Sequence, residues 1–302
     1  MDAPGRSEKP RPDLDPRVLD RLRCPICGEP LRQATDTRAL RCARRHSFDI
    51  ARQGYVNLLT GRAPHAGDSA EMVAARADFL AAGHYDVIST TLANAASEAV
   101  ARVEPLAAGF GAYPLVVDAG AGTGRYLGAV LAALPDAVGL ALDVSKPALR
   151  RAARAHPRAA AALADTWQRL PLADASTAVL LNVFAPRNGA EFHRVLDPAG
   201  TLLVATPDAD HLGELVDALD LLRVDPDKAD RVTASLGGHF TLASSTVCRA
   251  RLALSRTDAA TLVGMGPSAW HTDPGARTDR LAALPEPVRV TVAVRVDTYR
   301  PR

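Results

Sequence analysis

Cys24-Pro-Ile-Cys27 and Cys42-Ala-Arg-Arg-His46 stand out first, because residue type and spacing there permit chemistry. Each segment offers two ligands a few residues apart, and 14 residues separate the pairs. Zinc takes four soft or borderline ligands in a tetrahedron, and short paired spacings present them without strain. With all four positions filled by protein, none is left for water. The expected ion is therefore one structural Zn2+ held by Cys24, Cys27, Cys42 and His46. A redox dithiol at Cys24 and Cys27, or unrelated buried cysteines, are the competing readings. Cys248 lies far away in an apolar stretch and reads as a small core residue. Nothing marks secretion, so metal binding is favoured over disulfides.

A second constellation is Val117-Asp118-Ala-Gly120-Ala-Gly122-Thr-Gly124, placed after an expected strand and opening a helix. Glycines let the chain turn sharply and let a ligand lie on the backbone, beside an electropositive helix start. Such a loop alone serves NAD equally well. Three acids favour S-adenosylmethionine: Asp118 directly before the glycines, Asp143 closing the next strand, and Asp165 after the third. Asp143 is placed to hold the ribose hydroxyls and Asp165 to meet the adenine amine. The series resembles the class I methyltransferases over about residues 114–206. Asp165 also reads as a helix cap or turn residue, and Trp167 as an adenine neighbour or a core residue. Methyl transfer from a sulfonium needs in-line approach and positioning, with no enzyme nucleophile. After the fourth strand comes Asn182-Val-Phe-Ala-Pro186, where the target atom is expected. Enzymes of this type that methylate exocyclic amines carry Asn-Pro-Pro-Phe or Tyr there. This chain keeps Asn182, Phe184 and Pro186 without the double proline, which leaves a ring nitrogen open as the target. Phe184 is a candidate base-stacking ring, with packing at the strand end as the alternative.

These residues must be carried by strands. Apolar runs at 114–118, 138–143, 160–164, 178–184 and 201–205 alternate with Ala-, Leu- and Arg-rich helical stretches, which implies βαβ units and a parallel sheet. Two longer β-branched runs, 240–254 and 288–297, flank a helical 257–265 and suit an antiparallel pair at the sheet edge. The expected fold is α/β, a Rossmann-like class I methyltransferase with a mostly parallel seven-stranded sheet and a small N-terminal zinc-binding module. The expected organisation is a disordered leader over 1–16, a zinc-binding RNA-recognition module over 17–60, a linker and helical segment over 61–110, and the methyltransferase domain over 111–302. Asp68 and Glu71 have the spacing of a helix start. No apolar run of 18 residues and no secretory signal are present, so the expected location is the cytoplasm.

Arg outnumbers Lys by 33 to 3. That bias suggests a GC-rich genome and discounts arguments from Arg abundance alone. The distribution of charge is more informative. Residues 1–64 hold 13 Lys and Arg against 8 Asp and Glu, a net of +5, whereas residues 65–302 hold 23 against 26, a net of −3. A basic small module on a slightly acidic large one fits phosphate contact, with Arg44, Arg45 and Arg52 as candidates. Arg150, Arg154 and Arg158 are expected to share a helical face, solvated first and an RNA surface second.

Joined to Phe48-Asp-Ile-Ala-Arg-Gln-Gly-Tyr-Val-Asn-Leu-Leu59, the zinc constellation closely resembles the RlmA-type 23S rRNA (guanine-N1) methyltransferases, a family that includes tylosin-resistance enzymes. Gly67-Asp68-Ser-x-Glu71-Met72, Arg76, Phe79 and Gly83-His-Tyr85 are similar to the family's next segment. Met265-Gly-Pro-Ser-Ala-Trp270-His271 matches its Met-x-Pro-x-x-Trp pattern, with His271 where an Arg stands in some members. The resemblance spans about residues 22–297. It implies methylation of N1 of a guanine in hairpin 35 of domain II of 23S rRNA, macrolide resistance of the tylosin type, a homodimer, and Trp270 as a further RNA-binding candidate. Asp68 and Glu71 become candidates for a base, with helix capping as the alternative. A small-molecule methyltransferase of antibiotic biosynthesis leaves the zinc module and its charge unexplained. A non-catalytic zinc RNA-binding protein predicts a damaged glycine loop, and the loop is intact.

Overall fold

The computed structural model describes residues 14–61, 67–102, 113–221, 223, 225, 228–266 and 274–302, with the backbone alone at 228–230 and 274–277. In chain order the elements begin with helix α1 (Pro16–Leu19), strands β1 (Leu31–Gln33), β2 (Ala39–Cys42), β3 (Ser47–Asp49) and β4 (Tyr55–Asn57), and helices α2 (Ala70–Ala81) and α3 (Asp86–Arg102). The alternating part follows as β5 (Leu115–Ala119), α4 (Arg125–Ala133), β6 (Val138–Asp143), α5 (Lys146–Ala152), β7 (Ala159–Leu163), β8 (Thr177–Val183), α6 (Gly189–Val195) and β9 (Leu196–Pro207). Helices α7 (Gly213–Leu219) and α8 (Lys228–Leu236), strand β10 (Phe240–Leu254), helices α9 (Arg256–Gly264) and α10 (Pro274–Ala283) and strand β11 (Val288–Pro301) complete the chain.

The large sheet runs β10-β11-β9-β8-β5-β6-β7-β4. The six strands from β9 to β4 are parallel, and β11 and β10 form the antiparallel edge. The seven expected strands are present, and an eighth joins them. β4 comes from the segment after the cysteines and pairs with β7 through Tyr55, Val56 and Asn57 opposite Ala161, Ala162 and Leu163. Three residues are too few for periodicity to reveal such a pairing. β1, β2 and β3 form a separate antiparallel sheet.

Each face of the large sheet buries a core of its own, as all-parallel strands require. One face is covered by α2, α3, α4, α5, α7 and α9, with Phe79, Ile88, Leu92, Leu127, Leu149, Leu215 and Leu262 against Val116, Val179 and Leu181. The other face carries no helix between β7 and β8. Residues 164–176 cross it as an irregular connection, and the N-terminal ribbon takes the missing helix's place. Val18, Leu22, Leu31, Leu40 and Phe48 share one core with Leu115, Val117, Leu140, Leu170, Leu172 and Phe192. Backbone bonds fasten the joint: Leu22 bridges Leu172, the Arg23 N–H donates to Pro171 O at 3.0 Å, and the Ala173 N–H donates to Arg21 O at 2.9 Å.

Some local expectations are corrected. Ser69, not Asp68, caps α2, its hydroxyl accepting the Met72 N–H at 3.2 Å. α5 ends at Ala152, so Arg154 and Arg158 share no helical face with Arg150. Arg158 instead donates to the carbonyls of Leu131, Leu134 and Ala137, closing the end of α4. Among the described residues no helix is long and apolar enough to cross a membrane.

Candidate active site and zinc centre

Two tight turns build the metal end. In the first, the Gly28 N–H donates to Cys24 O and the Cys24 N–H to Glu29 O, both at 2.8 Å, with Gly28 at φ +76°. In the second, the Arg45 N–H donates to Cys42 O at 3.0 Å and the Cys42 N–H to His46 O at 3.1 Å. The ligand atoms of Cys24, Cys27, Cys42 and His46 all lie within 4.8 Å of one another. Cys27 Sγ is 3.7 Å from Cys42 Sγ, and His46 Nδ1 is 3.5 Å from Cys24 Sγ and 3.4 Å from Cys42 Sγ. Zn–S bonds of about 2.3 Å at the tetrahedral angle set sulfurs about 3.8 Å apart. The four residues thus fit a structural zinc ion, which would cross-link a ribbon whose own sheet is only three short strands.

At the carboxyl ends of β5, β6, β7 and β8 the expected cofactor residues come together along one edge of the sheet, the usual ligand position in open α/β sheets. Asp118 ends β5 fully enclosed, and neither of its carboxylate oxygens has a partner. Burial, with the Asp143 charge adding to it, pushes its pKa up to about 8. Asp143 accepts the Gly122 N–H at 2.8 Å and the Ser145 N–H at 2.7 Å. Burial raises its pKa against those two bonds. Asp165 accepts the Trp167 N–H at 2.9 Å, and its other oxygen is buried without a partner.

The glycines divide their work. Gly120, at φ +87°, has no room for a side chain, because a Cβ would overlap the Ala185 methyl. At Gly122, φ +53°, a Cβ would meet the Arg76 side chain in ordinary contact, with Nη1 at 3.6 Å. Gly124 starts α4 with no side-chain cap, leaving the first-turn N–H groups facing the loop. Unpartnered acceptors at Asp118 and Asp165, loop glycines without side chains and a helix start without a side-chain cap suit a ligand with an ammonium, a carboxylate and an adenine. S-adenosylmethionine is such a ligand.

Where the target is expected, Asn182 is completely buried and donates from Nδ2 to Ala119 O at 3.1 Å and Pro186 O at 2.8 Å. Its Oδ1 is left as a buried acceptor without a partner. Pro186 is exposed. Phe184 follows in a left-handed conformation, φ +53°, with its ring 43% exposed. A bulky residue held there signals strain at a working position. Phe184 faces His211, ring centroids 6.3 Å apart and planes within 28°. His211 Nδ1 accepts the Ala293 N–H at 3.2 Å, and its Nε2 lies 3.4 Å from the buried Tyr85 hydroxyl. With Nδ1 occupied as an acceptor, the neutral ring carries its proton on Nε2. Burial raises the Tyr85 pKa, keeping the phenol neutral.

Asp68 is ion-paired to Arg76, which also donates to Met265 O at 2.8 Å, and Asp68 O accepts the Ser145 hydroxyl at 2.8 Å. The start of α2 therefore closes over the glycine loop. Glu71 lies exposed in the first turn of α2, its carboxyl held below the usual range by its own backbone N–H and the Ser69 hydroxyl. Arg44, Arg45 and Arg52 are exposed on the ribbon, Arg44 with Glu29 at 3.9 Å. Trp167, 54% exposed, is not a core residue. Trp270 and His271 lie outside the described residues, as do residues 1–13 of the leader. Tyr85 belongs to the Gly83-His-Tyr85 segment that resembles the family, but His211 carries no sequence signal, being a lone histidine after a strand.

The zinc ribbon model of the RlmA N-terminal region matches residues 22–63. A Micromonospora griseorubida protein described as a putative 23S rRNA (guanine-N(1)-)-methyltransferase is 67% identical, over 95% of this chain and all of its own. The chain belongs to the 23S rRNA (guanine-N1)-methyltransferase family. The family's 23S rRNA (guanine(748)-N(1))-methyltransferase from Streptomyces fradiae is 50% identical, over 94% of this chain and 98% of its own. The Bacillus subtilis protein YxjB, a putative 23S rRNA (guanine-N(1)-)-methyltransferase, is 30% identical over 91% and 95% respectively. As a family member the chain is an S-adenosylmethionine-dependent enzyme with a zinc ribbon.

Proposed function

We propose that this protein methylates N1 of a guanine in the hairpin 35 loop of domain II of 23S rRNA, the guanine 748 specified in the name of the Streptomyces fradiae relative. The observation that carries this is the 50% identity to that relative over 94% of the chain, joined to the buried acid-and-glycine edge. S-adenosylmethionine, when bound, supplies an electrophilic methyl group on a sulfonium. The protein's part is to hold and orient. Asp118 would meet the cofactor's ammonium, Asp143 the ribose hydroxyls and Asp165 the adenine amine. Phe184 offers a face for the guanine ring, and Asn182 Oδ1 is an acceptor for its N–H edge. An amide is no base at neutral pH, so Asn182 would orient the guanine, not deprotonate it. Arg76 neutralises Asp68, which favours a closing role for Asp68 over proton removal. Arg44, Arg45 and Arg52 on the ribbon are proposed RNA contacts, and Trp270 is a further candidate that rests on the resemblance. Tylosin-type resistance and a homodimer are finer proposals resting on the resemblance alone.

The test is methyl transfer from labelled S-adenosylmethionine to a synthetic hairpin 35, with primer extension to map the product. N1 methylation blocks Watson–Crick pairing, so a stop at the one loop guanine is expected. A labelled hairpin with no stop would overturn the N1 assignment, and no label in the hairpin would overturn the substrate.

A further inference from the structure

Five large apolar side chains are exposed among the described residues: Ile26, Tyr113, Trp167, Phe184 and Leu242. Tyr113 is accounted for by the Arg17 guanidinium, 4.7 Å from its ring centre, and Phe184 by the target pocket. Trp167 has no ring or cation contact among the described residues, and more than half of it faces solvent. An indole left in water forgoes a large burial gain, and exposed Trp is enriched where a partner covers it.

The loop that carries it is held firmly. Just before it, Asp165 and Thr166 are buried at 5% and 6% exposure, so the chain emerges from the cleft floor at Trp167. The Trp167 N–H is held by Asp165, and its carbonyl accepts from Asn188 Nδ2 at 3.1 Å. Asn188 begins the helix after the Phe184 loop. The next residue, Gln168, is 3.3 Å from the Thr60 hydroxyl. Further along, Pro171 and Leu172 are bonded to Arg23 and Leu22 of the ribbon. One loop thus links the ribbon, the adenine end of the cofactor cleft and the target-base loop, with its single aromatic ring turned outward. RNA that touches both the basic ribbon and the pocket must cross this rim. Unpaired bases in loops are recognised by stacking on such rings, and a preformed platform loses little entropy on binding.

We propose that Trp167 is a stacking platform for an unpaired RNA base next to the target guanine, holding the loop between the zinc ribbon and the pocket. This rests on the RNA-methyltransferase reading above. It assigns the ring to RNA and not to the adenine of the cofactor, and the two assignments separate by experiment. The zinc-loaded full chain, W167A and W167F are titrated with the hairpin by fluorescence anisotropy and with S-adenosylhomocysteine by calorimetry. W167A should raise the RNA Kd about 10- to 100-fold, as expected for one lost stacking contact. W167F should stay close to the wild type, and cofactor affinity should not change in either variant. RNA should quench the wild-type indole fluorescence more strongly than that of W167F. An unchanged RNA Kd in W167A would overturn the proposal, as would a loss confined to S-adenosylhomocysteine. Failure of the wild type to bind the hairpin would overturn the substrate reading and this inference together.

Discussion

Removing zinc should disable the methyltransferase half of the molecule, not only the ribbon. The ribbon and the strand after it place Val18, Leu22, Leu31, Leu40, Phe48, Val56 and Leu58 in a core shared with the large sheet. At about 1.5–3 kcal/mol for each fully buried side chain, these seven represent about 10–20 kcal/mol. That is an upper bound, since unfolded chains already bury part of their surface. It still rivals the whole stability of a domain, about 5–15 kcal/mol. Structural zinc contributes on the order of 10 kcal/mol to folding such ribbons. Its loss should uncover Leu115, Val117, Leu140, Leu170 and Leu172 on one sheet face. The assay is differential scanning calorimetry with S-adenosylhomocysteine titration, before and after chelation, with zinc re-addition as control. One cooperative transition, shifted down by tens of degrees, and a loss of cofactor binding are expected. Two separate transitions, with cofactor affinity intact in the stripped protein, would refute the shared-core argument.

Gly120→Ala should abolish S-adenosylhomocysteine binding, because the φ of +87° and the Ala185 methyl both oppose a side chain there; calorimetry on the folded variant checks it, and retained affinity contradicts it. Asp118, with its pKa raised to about 8, is largely protonated at neutral pH in the free enzyme. The ligand's ammonium beside Asp118 favours the carboxylate, so affinity for S-adenosylhomocysteine should rise with pH up to about 8 and then level off. Binding at pH 7 should release a proton, measurable by calorimetry in buffers of different ionisation enthalpy, and Asp118→Asn should abolish the release. The same raised pKa means that the cofactor-free protein loses stability as pH climbs from the ordinary carboxylate range through about 8, visible as a falling melting temperature that the ligand offsets. Phe184→Ala should lower kcat on the hairpin about 5- to 150-fold, in line with about 1–3 kcal/mol for a lost stacking contact, while leaving cofactor affinity within twofold; equal losses in both would point to collapse of the loop instead.

The parts legible in the sequence are those set by near neighbours. Cys24, Cys27, Cys42 and His46 suggest a tetrahedral site by spacing alone, and β5, β6 and β7 end within two residues of Asp118, Asp143 and Asp165. Less was legible where distant segments meet. Tyr55–Asn57 is too short to announce that it crosses to the far edge of the large sheet. The stretch 164–176 carries no signal that a ribbon from the other end of the chain will cover its face. Tyr85, Phe184 and His211 come from three segments more than 25 residues apart, and only folding puts their rings side by side. At the start of α2, Asp68 has the right residue type for a cap, yet its attraction to Arg76 leaves that task to Ser69.

The joint between Leu22 and Leu172 also sets a timetable for synthesis. The ribbon's last metal ligand, His46, is made well over a hundred residues before Leu172. At translation rates of about 5–20 residues per second, that interval lasts roughly 6–25 s. Until β5 and β6 have been made, Leu22, Leu31, Leu40 and Phe48 lack the sheet that buries them, and the Leu170–Leu172 side of their core is completed only at the end of the interval. During that wait zinc would cross-link the Cys24–Cys27 and Cys42–His46 turns, adding to the short β1–β2–β3 pairing. Early metal capture would therefore hold the ribbon in shape and keep its bare apolar side from being spent on wrong neighbours.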